Sequence, residues 1–322
     1  MPIPLESLPF IDLYVRLDRP DQAFYRSREK GKTLANQLVP AEYQTTIDLF
    51  MSAVNDVMKG DKSDAAVTFD GVRCRLSRQY LADDTVWVCA RRITHEIPDI
   101  DQLGILPNVC QHMKSLGKRD GLIIISGATG NGKTTTGVAL MAHFLRQFGG
   151  TAVTIEDPVE FILKGRHGDS GQCFQVEIKD DEEWATCLKR ALRWAPRYIY
   201  VGEIRTPKGA EQLLRTATTG HLVMTTVHAG SPEEAIMGIS YLAEQSMGPS
   251  VNNMLATGFT AIAHQTLRDS GPVIRYAYTE PDSPGDPIRS LIRDSKVGMI
   301  STYVDRIAAR LAGGENATGV RR

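Results

Sequence analysis

Residues 122–134 read Leu122-Ile-Ile-Ile-Ser126-Gly127-Ala-Thr-Gly-Asn-Gly132-Lys133-Thr134, an apolar run that empties into a complete G-x-x-x-x-G-K-[ST]. The glycines let the backbone curl so that successive amide N–H groups point inward at a β-phosphate. Lys133 reaches the β and γ oxygens, and the Thr134 hydroxyl can ligate Mg2+. The stretch from Thr135 to Leu145 reads as a helix whose N-terminus faces the same anion. A strand, a glycine-rich loop and a helix in this order predict a nucleotide site with ATP and Mg2+ as cofactors. Its expected contacts are Gly127, Thr129, Gly130, Asn131, Gly132, Lys133, Thr134 and Thr135.

Outward from the loop, strands and helices alternate, the mark of a mostly parallel sheet covered on both faces. Thr151–Ile155, Tyr198–Val201 and His221–Val227 read as strands. Between them, Glu182–Trp194 reads as a helix with Trp184, Leu188, Ala191, Leu192 and Ala195 on one stripe and Asp180 or Asp181 as its cap. Thr206-Pro207 opens a helix that Gly220 closes, and Ser231-Pro-Glu-Glu234 is a capping box opening another. From Val251 onward the chain is expected to be mainly helical, with a glycine-rich, mobile tail after Ala312.

Upstream, Ile47–Met58 has helical spacing. Asp70-Gly71 then separates Ala66–Phe69 from Val72–Leu76, a strong hairpin signal, and Thr85–Ala90 supplies a third strand. A small α+β domain is therefore expected over 1–100, a partly helical linker over 101–120, and a P-loop domain over 121–322. At 322 residues and 42% hydrophobic content the chain can fill two cores. A net charge of −1 disfavours a partner with a phosphate backbone, so no nucleic acid is expected. The five cysteines form no C-x-x-C, which argues against a zinc cluster or a disulfide framework. With neither a signal-like N-terminus nor an 18-residue apolar stretch, the expected location is the cytosol.

Three later segments put polar residues where buried strands end, the edge at which open α/β sheets bind ligands. Thr154–Phe161 carries Glu156, Asp157 and Glu160; Arg197–Arg205 carries Glu203; Thr219–Gly230 brackets a strand with His221 and His228. Hydrolysis of a nucleoside triphosphate needs a metal, an oriented water and charge stabilisation. Glu160 is the candidate to polarise the water, Glu203 to hold Mg2+ with Thr134, and His221 or His228 to contact the γ-phosphate. No N-K-x-D guanine signature occurs.

Taken in order, these segments resemble the P-loop, aspartate box, Walker B and histidine box of the secretion ATPase superfamily, the hexameric motors of type II secretion, type IV pili and type IV secretion. The resemblance implies a RecA-like core behind a small PAS-like α+β domain, ATP hydrolysis, a homo-hexamer, and an inner-membrane platform protein as partner. Membrane association would then be peripheral, through that partner. It also implies that arginines of the small domain close over nucleotide, with Arg91 the first choice and Arg75 and Arg78 the alternates. Pro287-Ile-Arg289-Ser-Leu-Ile-Arg293-Asp294 is similar to a C-terminal motif of the pilus retraction branch. The four-cysteine motif and long extra N-terminal region common in pilus assembly and type II secretion motors have no counterpart. Retraction is therefore the expected role, with type IVB secretion or conjugation as the alternative. Pro196-Arg197 stands where the superfamily usually has Pro-Asp, and Arg205-Thr206-Pro207 replaces a common Arg-Asp. The type IVB secretion relative tolerates a basic residue at the first of these places. The change is expected to leave Glu203 and Glu160 to manage the metal.

Overall fold

The computed structural model describes residues 2–27, 36–60, 62–93, 96–178, 183–269, 271–281, 283 and 285–312 of the chain. It divides into two compact units, Met1–His95 and Glu96–Arg322.

In the first unit, β1 (Asp12–Arg16), β2 (Arg19–Arg26), β3 (Asn36–Leu38), α1 (Gln44–Val57), β4 (Asp64–Phe69), β5 (Val72–Tyr80) and β6 (Val86–Arg92) follow in chain order. The strands form one antiparallel sheet in the order β3-β2-β1-β6-β5-β4. The expected three-strand meander is present and pairs with three further strands that precede the helix. Asp70 and Gly71 both have positive φ, 50° and 76°, as a two-residue turn matching the twist of its strands requires. Alternation decides the core: Leu13, Val15, Ala23, Leu76, Val88 and Ala90 pack with Ile47, Phe50, Met51 and Val54 of α1. Phe50 is fully buried, and truncating such a ring to alanine costs about 3–5 kcal/mol.

The second unit begins with α2 (Pro107–Ser115) and β7 (Gly121–Gly127), then α3 (Lys133–Phe148), β8 (Gly150–Glu156), β9 (Gly165–His167) and β10 (Gly171–Glu177). It continues through α4 (Glu183–Leu192), β11 (Tyr198–Glu203), α5 (Pro207–Ala217), β12 (Leu222–His228), α6 (Pro232–Met247), α7 (Val251–Gly258) and β13 (Phe259–Arg268). β14 (Gly271–Tyr278), α8 (Pro287–Arg293) and α9 (Ile300–Ala312) complete it. The sheet order is β14-β13-β7-β12-β11-β8-β10-β9, parallel from β13 to β10 with an antiparallel strand at each edge. The P-loop strand β7 is central and buried along its whole length, which is why it reads as an unbroken apolar run. Ile123 and Ile125 face Val138, Met141 and Phe144 of α3, whereas Leu122 and Ile124 share a core with α5, α6 and α7.

Several expectations need correction. Residues 101–120 are not a linker. Ile105, Val109, Cys110, Met113 and Leu116 are buried in the second unit's core, because the apolar face of α2 packs on that layer. In the last third helices do predominate, as α7, α8 and α9, but β13 and β14 extend the sheet as a hairpin that was not expected. Ala195, placed by periodicity on the stripe of α4, lies beyond the helix end, exposed and at φ 46°. Gly220 follows a helix that already ends at Ala217. The caps expected at Asp180 or Asp181, and the tail after Ala312, lie outside the described residues. Among the described residues no helix is long and apolar enough to cross a membrane.

Candidate active site

Parallel pairing fixes which strand ends meet. Gly127 is the register partner of His228, Ser126 of His264, Glu203 of Thr226 and Glu177 of Glu156. The P-loop, the aspartate-box loop, Glu203 and His228 therefore leave the same carboxyl edge of the sheet. The loop glycines have φ 151°, 81° and 74° at 127, 130 and 132, and Gly132 caps α3. At Gly127 a Cβ would lie 2.3 Å from the carbonyl oxygen of Gln265, so no side chain fits. Thr129 and Gly130 are exposed at the loop tip.

Gln265, on β13, is a residue the sequence reading missed. Its Nε2 donates to the Asn131 carbonyl at 2.6 Å, and its Oε1 accepts from the Thr136 hydroxyl at 2.8 Å. The Leu267 N–H donates to Oδ1 of Asn131 at 3.2 Å, so the Asn131 side chain ties the loop to β13. Ser126 Oγ and His264 Nδ1 are 3.0 Å apart, and burial pushes the His264 imidazole below its ordinary value.

Lys133 donates to the Ala128 carbonyl at 3.1 Å. Burial lowers its pKa, while the carboxylates of Glu203 and Glu160 favour the charged form, which places all three groups in one electrostatic field. The hydroxyls of Thr134 and Thr135, in the first turn of α3, have no hydrogen-bond partner among the described residues and are free for a ligand. Glu203 follows a bulge: Val201 pairs with Thr225 and Glu203 with Thr226, leaving Gly202 as the extra residue, whose carbonyl accepts from Thr226 Oγ1. Such bulges re-aim side chains beside active sites. Its Oε2 accepts from Arg205 at 3.2 Å, and Arg205 also lies 4.0 Å from Asp157. Both members of the first pair are substantially exposed, so it holds by under about 1 kcal/mol and releases readily.

Glu160 sits in an exposed loop whose anchors the sequence did not announce. Buried Glu156 accepts from the Thr154 hydroxyl at 2.6 Å, from Gln175 Nε2 at 2.9 Å and from the Glu160 backbone N–H. Gln175 also donates to the Phe161 carbonyl at 3.0 Å and accepts from the N–H groups of Leu163 and Lys164, each at 2.7 Å. Glu177 accepts from the Val159 N–H at 3.2 Å. Burial pushes the Glu156 carboxyl up to about 7 despite those donors.

Two expectations fail on strand polarity. His221 precedes β12 at the amino edge and contacts Thr219. The seven residues from His221 to His228 put roughly 23 Å between it and the P-loop edge of its own chain. His228, exposed and in register with Gly127, lies at the carboxyl edge with the P-loop. Arg197 likewise precedes β11, donates to the Gly117 carbonyl at 3.1 Å and stacks on Tyr198. It is roughly 20 Å of strand away from Glu203, so an aspartate at that place would lie at the opposite edge of the sheet from the P-loop. In the N-terminal unit, Arg91 is ion-paired to Asp12 at 2.7 Å. Arg78 is consumed by the carbonyls of Met58 and Gly60.

The family described as type II/IV secretion system protein matches residues 70–280. The chain belongs to that family. The type IV pilus ATPase PilU of Pseudomonas aeruginosa is 29% identical over 246 residues, which is 74% of this chain and 62% of PilU. The chain thus spans under two thirds of that relative's length. The pilus retraction motor PilT, solved with bound ADP, matches with a TM-score of 0.71 at 26% identity over 94% of this chain and 87% of PilT. The ATPase DotB of Legionella pneumophila matches with a TM-score of 0.67 at 19% identity, over 95% and 85% of the two chains, a likeness of fold alone. The second unit is thus a RecA-like core of this secretion family, preceded by an antiparallel-sheet domain.

Proposed function

We propose that this secretion-family chain is an ATP-hydrolysing motor. The observation that carries the reading is the meeting of Lys133, Glu160 and Glu203 in one field at the edge where the glycine loop and the amino end of α3 open. Lys133 and the loop amides hold the triphosphate. Glu160 accepts the proton of the water that attacks the γ-phosphorus, and ADP leaves with its new charge held by the cradle. His228 stands where it can contact the γ-phosphate.

The Thr134 hydroxyl and the Glu203 carboxylate are hard oxygen donors fit for Mg2+, which would neutralise charge on the β and γ oxygens. Among the described residues no cluster of three or more His, Cys, Asp or Glu could hold a metal alone, so the nucleotide's own oxygens complete the set.

Names of relatives support a pilus or secretion machine as the setting, and likeness of Pro287–Asp294 to the retraction motif supports pilus retraction. This reading includes a homo-hexamer, an inner-membrane platform partner, and a cytoplasmic position at that membrane. A second reading, type IVB secretion or conjugation, is favoured by Pro196-Arg197.

The test is steady-state ATP hydrolysis by wild type and Glu203→Gln, with particle mass measured in the same buffer. Turnover by wild type and its loss in the variant are expected, with a mass of six chains. Equal background rates in both would leave a nucleotide-binding regulator, and strong salt-sensitive stimulation by nucleic acid would indicate a translocase.

A further inference from the structure

β13 meets the start of the glycine loop on both faces of the sheet. Gln265 holds it from the α3 side, and His264, the alternate residue, shares with Ile262 the face covered by α6. His264 is 6% exposed and is the register partner of Ser126 on β7 and of Arg275 on β14. Ser126, fully buried, immediately precedes Gly127, so its side chain acts at the point where the strand turns into the phosphate cradle.

Nδ1 of His264 lies 3.0 Å from Ser126 Oγ, and no hydrogen bond reaches its Nε2 among the described residues. α6 packs on both β7 and β13, and its first turn carries Glu233 and Glu234. Oε1 of Glu233 is buried with no hydrogen-bond partner among the described residues. A helix N-terminus explains an acid at that place, but not an oxygen that is buried and left unsatisfied.

The charges around the imidazole come from four elements. Burial, with the cations of Arg275 on β14 and Lys133 on α3, pushes His264 below its ordinary value, whereas the carboxylates of Glu233 and Glu234 act the other way. Asp305 of α9 lies 3.9 Å from Arg275 and offsets part of that cation. β7 and β12 add no charge at this level, where they present Ser126 and Val227.

Phosphate binding changes this balance. A nucleotide brings several negative charges to the loop that begins one residue after Ser126, and Lys133 is then matched by the phosphates it holds. Both changes favour a charged imidazole, with the proton drawn from solvent. An imidazolium donates from both nitrogens: Nδ1 to Ser126, and the other toward a carboxylate such as Glu233. A histidine kept for packing alone would leave the buried oxygen of Glu233 without a role.

We infer that His264 is a positioning residue for phosphate binding: with nucleotide in the cradle its imidazolium pairs with Glu233 and, by donating to Ser126, braces the start of the glycine loop. This rests on the nucleotide-site reading and deepens it, adding a group on the face of the sheet opposite α3.

The test is the affinity of the full chain for ribose-labelled ADP between about pH 5 and pH 8, with kcat, KM for ATP and melting temperature measured alongside. A proton taken up on binding makes affinity rise as pH falls. Wild type should gain about threefold more affinity between pH 8 and pH 6 than His264→Gln, whose own slope reports the nucleotide's titration. Glu233→Gln should lose most of that excess. His264→Gln, Ser126→Ala and their double variant should raise KM equally and keep kcat. A merely structural histidine would lower the melting temperature of His264→Gln and leave it the wild-type pH profile, a result that overturns the inference. Where His264→Gln fails to fold, calorimetry in two buffers of different ionisation heat counts the protons taken up with ADP. An equal count in wild type and Glu233→Gln overturns the inference as well. Lys133→Ala separates the two levels. Wild-type ADP binding by that variant sinks the nucleotide-site reading, whereas its loss of binding beside an unchanged pH profile in His264→Gln sinks the role of His264 alone.

Discussion

Two loops leave the same edge of the parallel sheet, and a carboxamide from a different strand anchors each one. On the phosphate side, Gln265 of β13 joins the Asn131 carbonyl to the Thr136 hydroxyl while its own carbonyl occupies the space beside Gly127. On the carboxylate side, Gln175 of β10 joins the Phe161 carbonyl and the Leu163 and Lys164 N–H groups to Glu156. The first anchor is neutral throughout. The second ends on a buried acid pushed up to about 7. The anchor on the phosphate side thus holds no titrating group, whereas the Glu160 loop rests on a group that changes charge near neutrality.

Breaking the two sides should give different losses. The largest effect is expected from Lys133→Ala, which removes a charge-assisted contact to phosphate and should weaken nucleotide binding about 100-fold, read by titration with labelled ATP. Gln265→Ala leaves the Asn131 carbonyl and the Thr136 hydroxyl unsatisfied in a site where Gln265 is 2% exposed. It should cost about 3 kcal/mol of stability in denaturant unfolding and raise KM for ATP. Gln175→Ala should show the reverse split, with turnover lowered and nucleotide affinity kept, because it frees the Glu160 loop and leaves the cradle intact. A rise in KM alone for this variant would erase the distinction between the two anchors.

The smallest effect concerns pH. Glu156 has a folded-state pKa raised from 4.5 to about 7, so the folded protein holds that proton more tightly than the unfolded chain. The resulting stability is fully present below 4.5 and is lost as pH rises through 7, amounting to at most about 3 kcal/mol. Glu156→Gln should therefore melt near wild type at pH 5 and above it at pH 8. An equal offset at both pH values would show that Glu156 does not titrate in this range.

The comparison also explains what could be read from the sequence. The cradle was legible because its residues are contiguous and each glycine answers a backbone demand. The position of Glu160 and Glu203 at the carboxyl edge was legible because the first follows a buried strand and the second ends one. Gln265 lies 134 positions from the residue it anchors, and Gln175 lies 14 from Phe161 across a strand turn. Carboxamides have no spacing signature, so only the fold reveals either. His221 and Arg197 were misplaced because a motif's order along the chain is silent about which end of a strand each member occupies. The β13–β14 hairpin escaped because its apolar half, Phe259–Ala263, is buried on both sides and has no alternation, leaving Arg268 to Gly271 as the one turn signal. β1 and β2 do alternate, in Leu13, Val15, Ala23 and Tyr25, and that signal was present but unread.

The central claim is that the cradle binds and the Glu160 loop performs the proton transfer. The most direct measurement is ATP turnover by Glu160→Gln, with nucleotide affinity determined on the same preparation. The account predicts wild-type affinity with turnover reduced about 100-fold to 10,000-fold. Wild-type turnover by a well-folded Glu160→Gln protein would contradict it.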